Sequence, residues 1–202
     1  KAGLVPFVST FSVFACLRAG EFLRTDLCYQ NLNAKVIATH GGTSFGPAGS
    51  THHCTEDLSI VRAIANLTVI VPADSIETAH AVRQCMKING PVFIRIGRGF
   101  EPRVHQDTDY GFEIGKAVEM HPGTDVTVIA CGAAVFHAVE AARLLAEDDG
   151  LSVRVLNMHT IKPLDEEAIL KAVQDTRRIL TFEDHNVVGG LGTAVADVIA
   201  AS

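Results

Sequence analysis

Short apolar runs alternate with amphipathic stretches along most of the chain. In the first half the apolar runs are AGLVPFVST, KVIAT, LTVIV and VFIRI, and runs of this length are typical of buried strands. The stretches between them have helical spacing, as in the segments Phe11 to Gln30 and Asp74 to Ile88 and in EDLSIVRAI. Glu77 follows Asp74 by three residues, which resembles a capping box and marks a helix start. Strands that alternate with helices in this way predict a parallel sheet covered by helices on both faces.

A polar interruption divides the chain before the alternation resumes. Residues 99–123 are mainly polar and contain two prolines, which favours a domain boundary. Beyond them, DVTVIAC, LSVRVLNM and RILTFE predict strands, with helical patterns between and after them. We therefore predict an α/β fold of two consecutive open parallel-sheet domains: residues 1–103, a linker at 104–123, and residues 124–202. The chain begins directly before a strand and stops after a helix, so we expect both domains to be incomplete.

Composition narrows the class of protein. The chain has 202 residues, 48% of them hydrophobic, and a formal charge of −6, and no segment concentrates Lys and Arg as a nucleic-acid binder would. No apolar run approaches the roughly 20 residues of a membrane span. The five cysteines are scattered singly without a C-x-x-C pair, which favours a reducing compartment. We expect a cytoplasmic protein that binds neither nucleic acid nor membrane.

One loop carries an unusual concentration of glycine and histidine. THGGTSFGPAGSTHH, residues 39–53, follows a predicted strand and contains four glycines and three histidines. Glycine allows the backbone to approach a ligand closely, and imidazole titrates near neutral pH. A solvated surface loop is the alternative, and three histidines weigh against it. A metal site is disfavoured because the adjacent residues His52, His53 and Cys54 point to opposite faces of an extended segment.

Two further features lie where strands are predicted to end, at the edge where open parallel sheets bind ligands. Arg98 follows VFIRI between two glycines, from where a guanidinium can bind an anion with two hydrogen bonds. A solvated arginine is the commoner case for such a residue taken alone. Phe11 and Phe14 lie one helical turn apart at a strand-to-helix junction. Core packing is the default interpretation of that pair.

Six motifs together resemble a known family. VPFVSTFSVF, THGGTSFGPAGSTHH, NLTVIVPADSIE, VFIRIGRG, HTIKPLDEEAI and FEDHNVVGGLG are similar, in the family's order, to the carboxyl-terminal half of transketolase. The likeness is closest to the separately encoded C-terminal subunit of split bacterial and archaeal transketolases. By this resemblance, residues 1–103 are part of a pyrimidine-binding domain and residues 124–202 are an incomplete transketolase C-terminal-like domain.

The resemblance implies an activity, cofactors and partners. A transketolase transfers a two-carbon ketol unit between sugar phosphates, as in the pentose phosphate pathway, with thiamine diphosphate and a divalent ion, Mg²⁺ or Ca²⁺. In the family a separate diphosphate-binding domain or subunit holds the diphosphate and the metal, so no metal ligand is assigned in this chain. We expect that N-terminal domain or subunit as a partner, in a homodimer or hetero-oligomer.

Five residues match family site positions. Phe11 falls on the aromatic residue that stacks on the cofactor's aminopyrimidine, and Phe14 lines the same pocket. His40 and Arg98 match residues that bind the sugar phosphate. His52 matches the catalytic histidine that contacts the hydroxyl and carbonyl region of the donor. The motif FEDHNVVGGLG is given no catalytic role, although an interface role is possible for it.

Two departures from the family pattern affect the prediction. By family spacing, the essential glutamate that bonds the pyrimidine ring would lie about a dozen residues before Lys1, so we predict that this chain alone is inactive. Ala48 stands where many transketolases have an aspartate that reads a donor hydroxyl, which leaves the donor and acceptor sugars open. Two alternatives stay open as well: a 1-deoxyxylulose-5-phosphate synthase-like enzyme, whose corresponding loop is similar, and a non-catalytic interaction module with the same fold.

Overall fold

Nine strands form two sheets in residues 3–202, the part of the chain that the computed structural model describes. In chain order the strands are β1 (Phe7–Phe11), β2 (Lys35–Thr39), β3 (Thr68–Ile70), β4 (Val92–Arg95), β5 (Val118–His121), β6 (Val126–Ala130), β7 (Val153–Asn157), β8 (Thr160–Lys162) and β9 (Ile179–Phe182). The prediction of two α/β domains is confirmed.

The first sheet has the order β1-β2-β4-β3-β8. Strands β1 to β4 run parallel, as the alternation with helices predicts, and β4 is buried along its whole length. Strand β8 comes from the second half of the chain and pairs antiparallel with β3. It covers an edge that would otherwise expose unpaired backbone groups. The sheet is therefore mixed. Strand β8 could not be predicted from the pattern because its three residues do not form an apolar run.

The second sheet has the order β5-β7-β6-β9 and is also mixed. Strands β6, β7 and β9 are parallel, whereas β5 pairs antiparallel with β7. Strand β5 lies within 104–123, so part of the segment predicted as a linker belongs to this sheet. Phe112 and His105 of the same segment are buried, with Phe112 packed among residues of the first sheet and its helices.

Five α-helices cover the sheets in the described part of the chain: α1 (Asp57–Ala63), α2 (Ser75–Cys85), α3 (Ala134–Asp148), α4 (Glu166–Thr176) and α5 (Leu191–Ala201). The predicted start of α2 is confirmed, because the Asp74 carboxylate accepts the Glu77 N–H at 2.9 Å. Glu77 in turn accepts the Ala73 N–H at 2.7 Å. Each carboxylate satisfies a backbone donor that the helix itself cannot pair.

The first predicted helix has a different form from the one expected. The segment contains two π-helical stretches, Phe14–Arg18 and Phe22–Tyr29, in place of a single α-helix. The Ala19 N–H donates to the Phe14 carbonyl at 2.9 Å, which is the five-residue spacing of a π-helix. Apolar spacing over so few turns does not separate this wider helix from an α-helix. The wide turn lies next to the candidate site, where π-helical geometry is often found.

The largest hydrophobic cluster crosses the boundary between the two halves. It joins Val36 and Phe93 of the first sheet with Ile129 and Leu156 of the second. Lys162, at the end of β8, donates to the carbonyls of Arg62 and Ile64 at 2.9 and 2.5 Å and so satisfies acceptors at the end of α1. The two domains are thus packed on a shared core. No helix within residues 3–202 is both long enough and apolar enough to cross a membrane.

Candidate active site

The loop 39–53 begins at the carboxyl end of β2 and is attached to the end of β4. The N–H groups of His40 and Gly41 donate to the carbonyls of Gly97 and Ile96 at 3.1 and 3.0 Å. His40 has a φ of 58°, a left-handed conformation that is uncommon for residues other than glycine. This attachment brings the start of the loop beside the turn that contains Arg98.

Four of the five residues predicted from the sequence meet in one cluster of rings. The Phe11 ring centroid lies 5.7 Å from that of Phe14, 4.0 Å from that of His40 and 5.7 Å from that of His52. Phe11 and Phe14 are stacked, with an interplanar angle of 12°. Phe45 contacts Phe11, His40 and His52 at centroid distances of 5.8, 4.9 and 5.8 Å. We call Phe11, Phe14, His40, Phe45 and His52 together the aromatic–imidazole cluster.

Arg98, the fifth predicted residue, lies at the margin of the cluster. Its guanidinium carbon is 4.7 Å from the centroid of the Phe45 ring and 5.3 Å from that of Phe100, within the range of cation–π attraction. The Glu101 carboxylate accepts the N–H groups of Arg98 and Gly99 at 2.7 and 2.9 Å. This bonding fixes the turn while the Arg98 side chain stays exposed.

The two imidazoles of the cluster are oriented by their neighbours in the chain. Nδ1 of His40 lies 2.9 Å from Thr39 Oγ1, and Nδ1 of His52 lies 2.9 Å from Thr51 Oγ1. Among the described residues, no hydrogen bond involves the Nε2 of either ring. Burial, and then the nearby positive charge of Arg98, lower the pKa of His40. The neutral form of His40 is therefore favoured in the absence of an anion.

A buried ion pair is bonded to Ser12, the residue that follows Phe11 in sequence. Arg95 Nε donates to Asp57 Oδ2 at 2.7 Å, and both side chains are less than a tenth exposed. Ser12, between the two phenylalanines in sequence, donates to the same carboxylate oxygen at 2.6 Å. Burial alone would lower the pKa of Arg95, but the Asp57 carboxylate outweighs it and raises the pKa, so the guanidinium stays charged. The pair joins α1 to β4, and Ser12 links it to the residue that directly follows β1.

The second domain also contacts the loop. Residues 183–190, which lie between β9 and α5, reach across to the first domain. The Asn186 N–H donates to the Thr55 carbonyl, and Arg62 Nη1 donates to the Gly190 carbonyl, both at 2.9 Å. Asp184 accepts two hydrogen bonds from Thr43. The sequence signal for this contact is the motif FEDHNVVGGLG, which carries no assigned role.

Other predicted features of the loop have the following positions. His53 is half-buried, whereas Cys54 is fully buried. Among residues 3–202 no group of three or more His, Cys, Asp or Glu side chains is arranged to hold a metal ion. Ala48 lies in a short 3₁₀ segment, Gly46–Thr51, and is half-buried.

Comparison with known proteins decides the family. The profile described as "Transketolase, pyrimidine binding domain" matches residues 1–101, and that described as "Transketolase, C-terminal domain" matches residues 115–202. The chain belongs to the transketolase family. The aromatic–imidazole cluster therefore lies in the pyrimidine-binding domain, and the contact made by residues 183–190 comes from the C-terminal domain.

Individual relatives agree with this family. The chain is 37% identical over 199 residues to an apulose-4-phosphate transketolase subunit of Phocaeicola vulgatus, and the match covers 98% of this chain and 64% of the relative. It is 41% identical over 201 residues to "Putative transketolase C-terminal section" of Methanocaldococcus jannaschii, with 99% of this chain and 62% of the relative covered. The chain thus spans less than two thirds of the length of either protein.

A solved structure and a second enzyme class also match. The structure titled "Split gene transketolase, inactive beta4 tetramer" is 41% identical and superposes with a TM-score of 0.91, covering 99% of this chain and 64% of that one. A "1-deoxy-D-xylulose-5-phosphate synthase" of Halothermothrix orenii is 36% identical over 200 residues. That match spans 98% of this chain and 31% of the synthase. Together with the transketolase section of Methanocaldococcus jannaschii, the solved structure shows that the homologues include C-terminal subunits of split transketolases.

The transketolase domains imply dependence on thiamine diphosphate, and the cluster can be tested for its fit to the pyrimidine of that cofactor. Phe11 and Phe14 are half-buried, although core phenylalanines such as Phe93 are fully buried. An aromatic base needs one accessible ring face on which to stack. These side chains therefore suit the pyrimidine. Phe45 completes the aromatic surface through its contacts with Phe11, His40 and His52. The sequence indicates it only as an aromatic residue in a glycine-rich loop.

Proposed function

We propose that this chain is the pyrimidine-binding and C-terminal part of a thiamine-diphosphate-dependent transketolase that transfers a two-carbon ketol unit between sugar phosphates. The observation that carries the proposal is the aromatic–imidazole cluster with Arg98 at its margin. It combines a stacking surface, an exposed guanidinium and two imidazoles whose Nε2 atoms have no partner among the described residues. A non-catalytic module would not require this combination of groups in one half-buried cluster.

Each group has a role that its chemistry suits. Phe11 holds the pyrimidine by stacking, and Phe14 lines the same pocket. Thiamine diphosphate, when bound, supplies the carbanion stabilisation that two-carbon transfer requires. His40 and Arg98 bind the sugar phosphate, and the lowered pKa of His40 would rise when a dianion is bound beside it. His52 donates or accepts a proton at the hydroxyl and carbonyl end of the donor through Nε2.

The proposal extends to partners and surroundings. A diphosphate-binding domain or subunit would hold the diphosphate and the Mg²⁺ or Ca²⁺, and the assembled enzyme would be a homodimer or hetero-oligomer. The chain alone would then be inactive, because the partner would supply the diphosphate site. All five cysteines are free and buried, which is consistent with a cytoplasmic location.

The assignment is tested with the complete enzyme, assembled with its diphosphate-binding partner. We expect turnover of xylulose phosphate with ribose phosphate, and little turnover of the unphosphorylated sugars. Turnover only with pyruvate and glyceraldehyde phosphate would instead establish the synthase alternative. An assembly that binds thiamine diphosphate neither with nor without substrate would favour the non-catalytic module. Because Ala48 replaces the family aspartate, the assay should include several ketose phosphate donors.

A substitution at Phe11 tests the stacking role separately. Phe11→Leu keeps an apolar side chain but removes the ring face, and we expect thiamine diphosphate to bind about tenfold more weakly, within the 1–3 kcal/mol typical of base–aromatic stacking. Isothermal titration calorimetry on the complete enzyme measures the change. The matched control is Phe136→Leu, another half-buried phenylalanine at the start of α3, which should leave the affinity unchanged. Equal affinities in the two variants would contradict the assignment.

A further inference from the structure

The C-terminal domain places one carboxylate against the loop of the candidate site. Asp184 Oδ2 accepts the Thr43 N–H at 2.9 Å, and its Oδ1 accepts the Thr43 hydroxyl at 3.0 Å. Thr43 lies three residues after His40 and two before Phe45. One side chain of the second domain therefore bonds the short stretch between two members of the aromatic–imidazole cluster.

The backbone of the loop is shaped for this contact. Gly42 has a φ of 62°, and any side chain there would overlap the Asp184 carboxylate and the carbonyl of the same residue. Only glycine combines that left-handed conformation with so close an approach at little cost. The glycine at position 42 is thus explained by Asp184 rather than by a ligand.

The same segment of the C-terminal domain also holds the far end of the loop. The Asp184 carbonyl accepts a hydrogen bond from Arg95 Nη2 at 2.8 Å, and that atom also donates to the Cys54 carbonyl at 3.3 Å. The Asn186 N–H bonds the Thr55 carbonyl at 2.9 Å. Residues 184–186 therefore fix the loop on both sides of the stretch that contains His40, Phe45 and His52.

We infer that Asp184 is a positioning residue of the active site: it acts through Thr43 to set the placement of His40 and Phe45. This inference rests on the proposed function. Phe11 lies on β1 and Phe14 on the adjoining π-helical turn, and neither is bonded by Asp184. Loss of the carboxylate should therefore disturb the binding of the sugar phosphate while the stacking surface for the cofactor stays in place.

The test uses Asp184→Ala and Asp184→Asn in the complete enzyme. We expect Asp184→Ala to raise the KM for the phosphorylated substrate about tenfold, with kcat and the Kd for thiamine diphosphate within about threefold of wild type. Asp184→Asn keeps one acceptor for the Thr43 N–H and should recover most of the loss. A purely structural role would instead lower the melting temperature and change kcat, KM and the Kd for the cofactor together, and that result would overturn the inference.

A double-mutant cycle with Thr43→Val isolates the contact, because valine keeps the shape of threonine without its hydroxyl. Thr43→Val should raise the KM in the wild-type background and have no further effect in Asp184→Ala. Additive effects would contradict the inference.

Hydrogen–deuterium exchange separates this inference from the proposed function. We expect Asp184→Ala to accelerate exchange in peptides spanning residues 39–53 whether or not the wild-type enzyme transfers ketol groups. Unchanged exchange and unchanged KM would refute the positioning role. If Asp184→Ala accelerates exchange but the wild-type enzyme shows no transferase activity, the positioning role of Asp184 is retained and only the proposed function is refuted.

Discussion

His52→Ala is expected to lower kcat for ketol transfer by at least about 100-fold, the lower limit usual for loss of a general acid or base. The Nε2 atom of His52 is without a protein partner in the described residues, and its ring packs edge-on against Phe11 and Phe14 at 5.7 and 5.5 Å. It is thus held at the proposed cofactor surface with one nitrogen available. Steady-state kinetics of the complete enzyme, with cofactor saturation checked by calorimetry, measure the effect.

A matched control separates chemistry from folding in this experiment. His137→Ala removes an exposed imidazole from α3, outside the aromatic–imidazole cluster, and should leave kcat unchanged. His52→Ala should retain the wild-type melting temperature and affinity for thiamine diphosphate. If His52→Ala keeps nearly the wild-type kcat, His52 has no part in the proposed mechanism.

Asp57→Ala is expected to destabilise the protein by about 3–5 kcal/mol, the usual cost of leaving one partner of a buried ion pair uncompensated. Asp57 is fully buried and bonds Arg95, Ser12 and the Leu58 N–H at 2.7, 2.6 and 3.0 Å. Its loss would leave the Arg95 guanidinium charged and without a counterion. Denaturant titration gives the change in the free energy of unfolding.

The chain offers a surface ion pair for comparison. Asp197, 69% exposed, lies 3.5 Å from Arg62, and Asp197→Ala should cost less than about 1 kcal/mol because exposed pairs are screened by water. Similar losses for the two variants would mean that burial does not determine the contribution of Asp57.

Much of the fold follows from local pattern. The long apolar runs predict β2, β4, β6 and β7, because strands buried on both faces need apolar residues throughout. The Asp74 cap predicts the start of α2, since it depends only on residues within one turn. Strands β5 and β8 could not be predicted in this way, because neither is a continuous apolar run and the antiparallel pairing of each depends on contacts between distant parts of the chain.

The candidate site likewise contains residues that the sequence predicts and residues that only the structure reveals. The resemblance brings attention to Phe11, His40, His52 and Arg98, and the structure gathers them although they are spread over almost 90 positions. Neither Asp57 nor Asp184 is predicted, since an acidic residue taken alone reads as solvated surface. Their importance comes from burial in one case and from a contact between domains in the other, and neither is encoded in local spacing.

Strand β8 bears on how the polypeptide could be divided. A cut anywhere in 104–123 would leave the first piece without its fifth strand and with the outer edge of β3 uncovered, while the second piece would carry an orphan strand. Such an edge invites pairing with other chains. The two domains therefore differ in sequence family but share an edge strand, and we expect neither piece of such a cut to fold stably by itself.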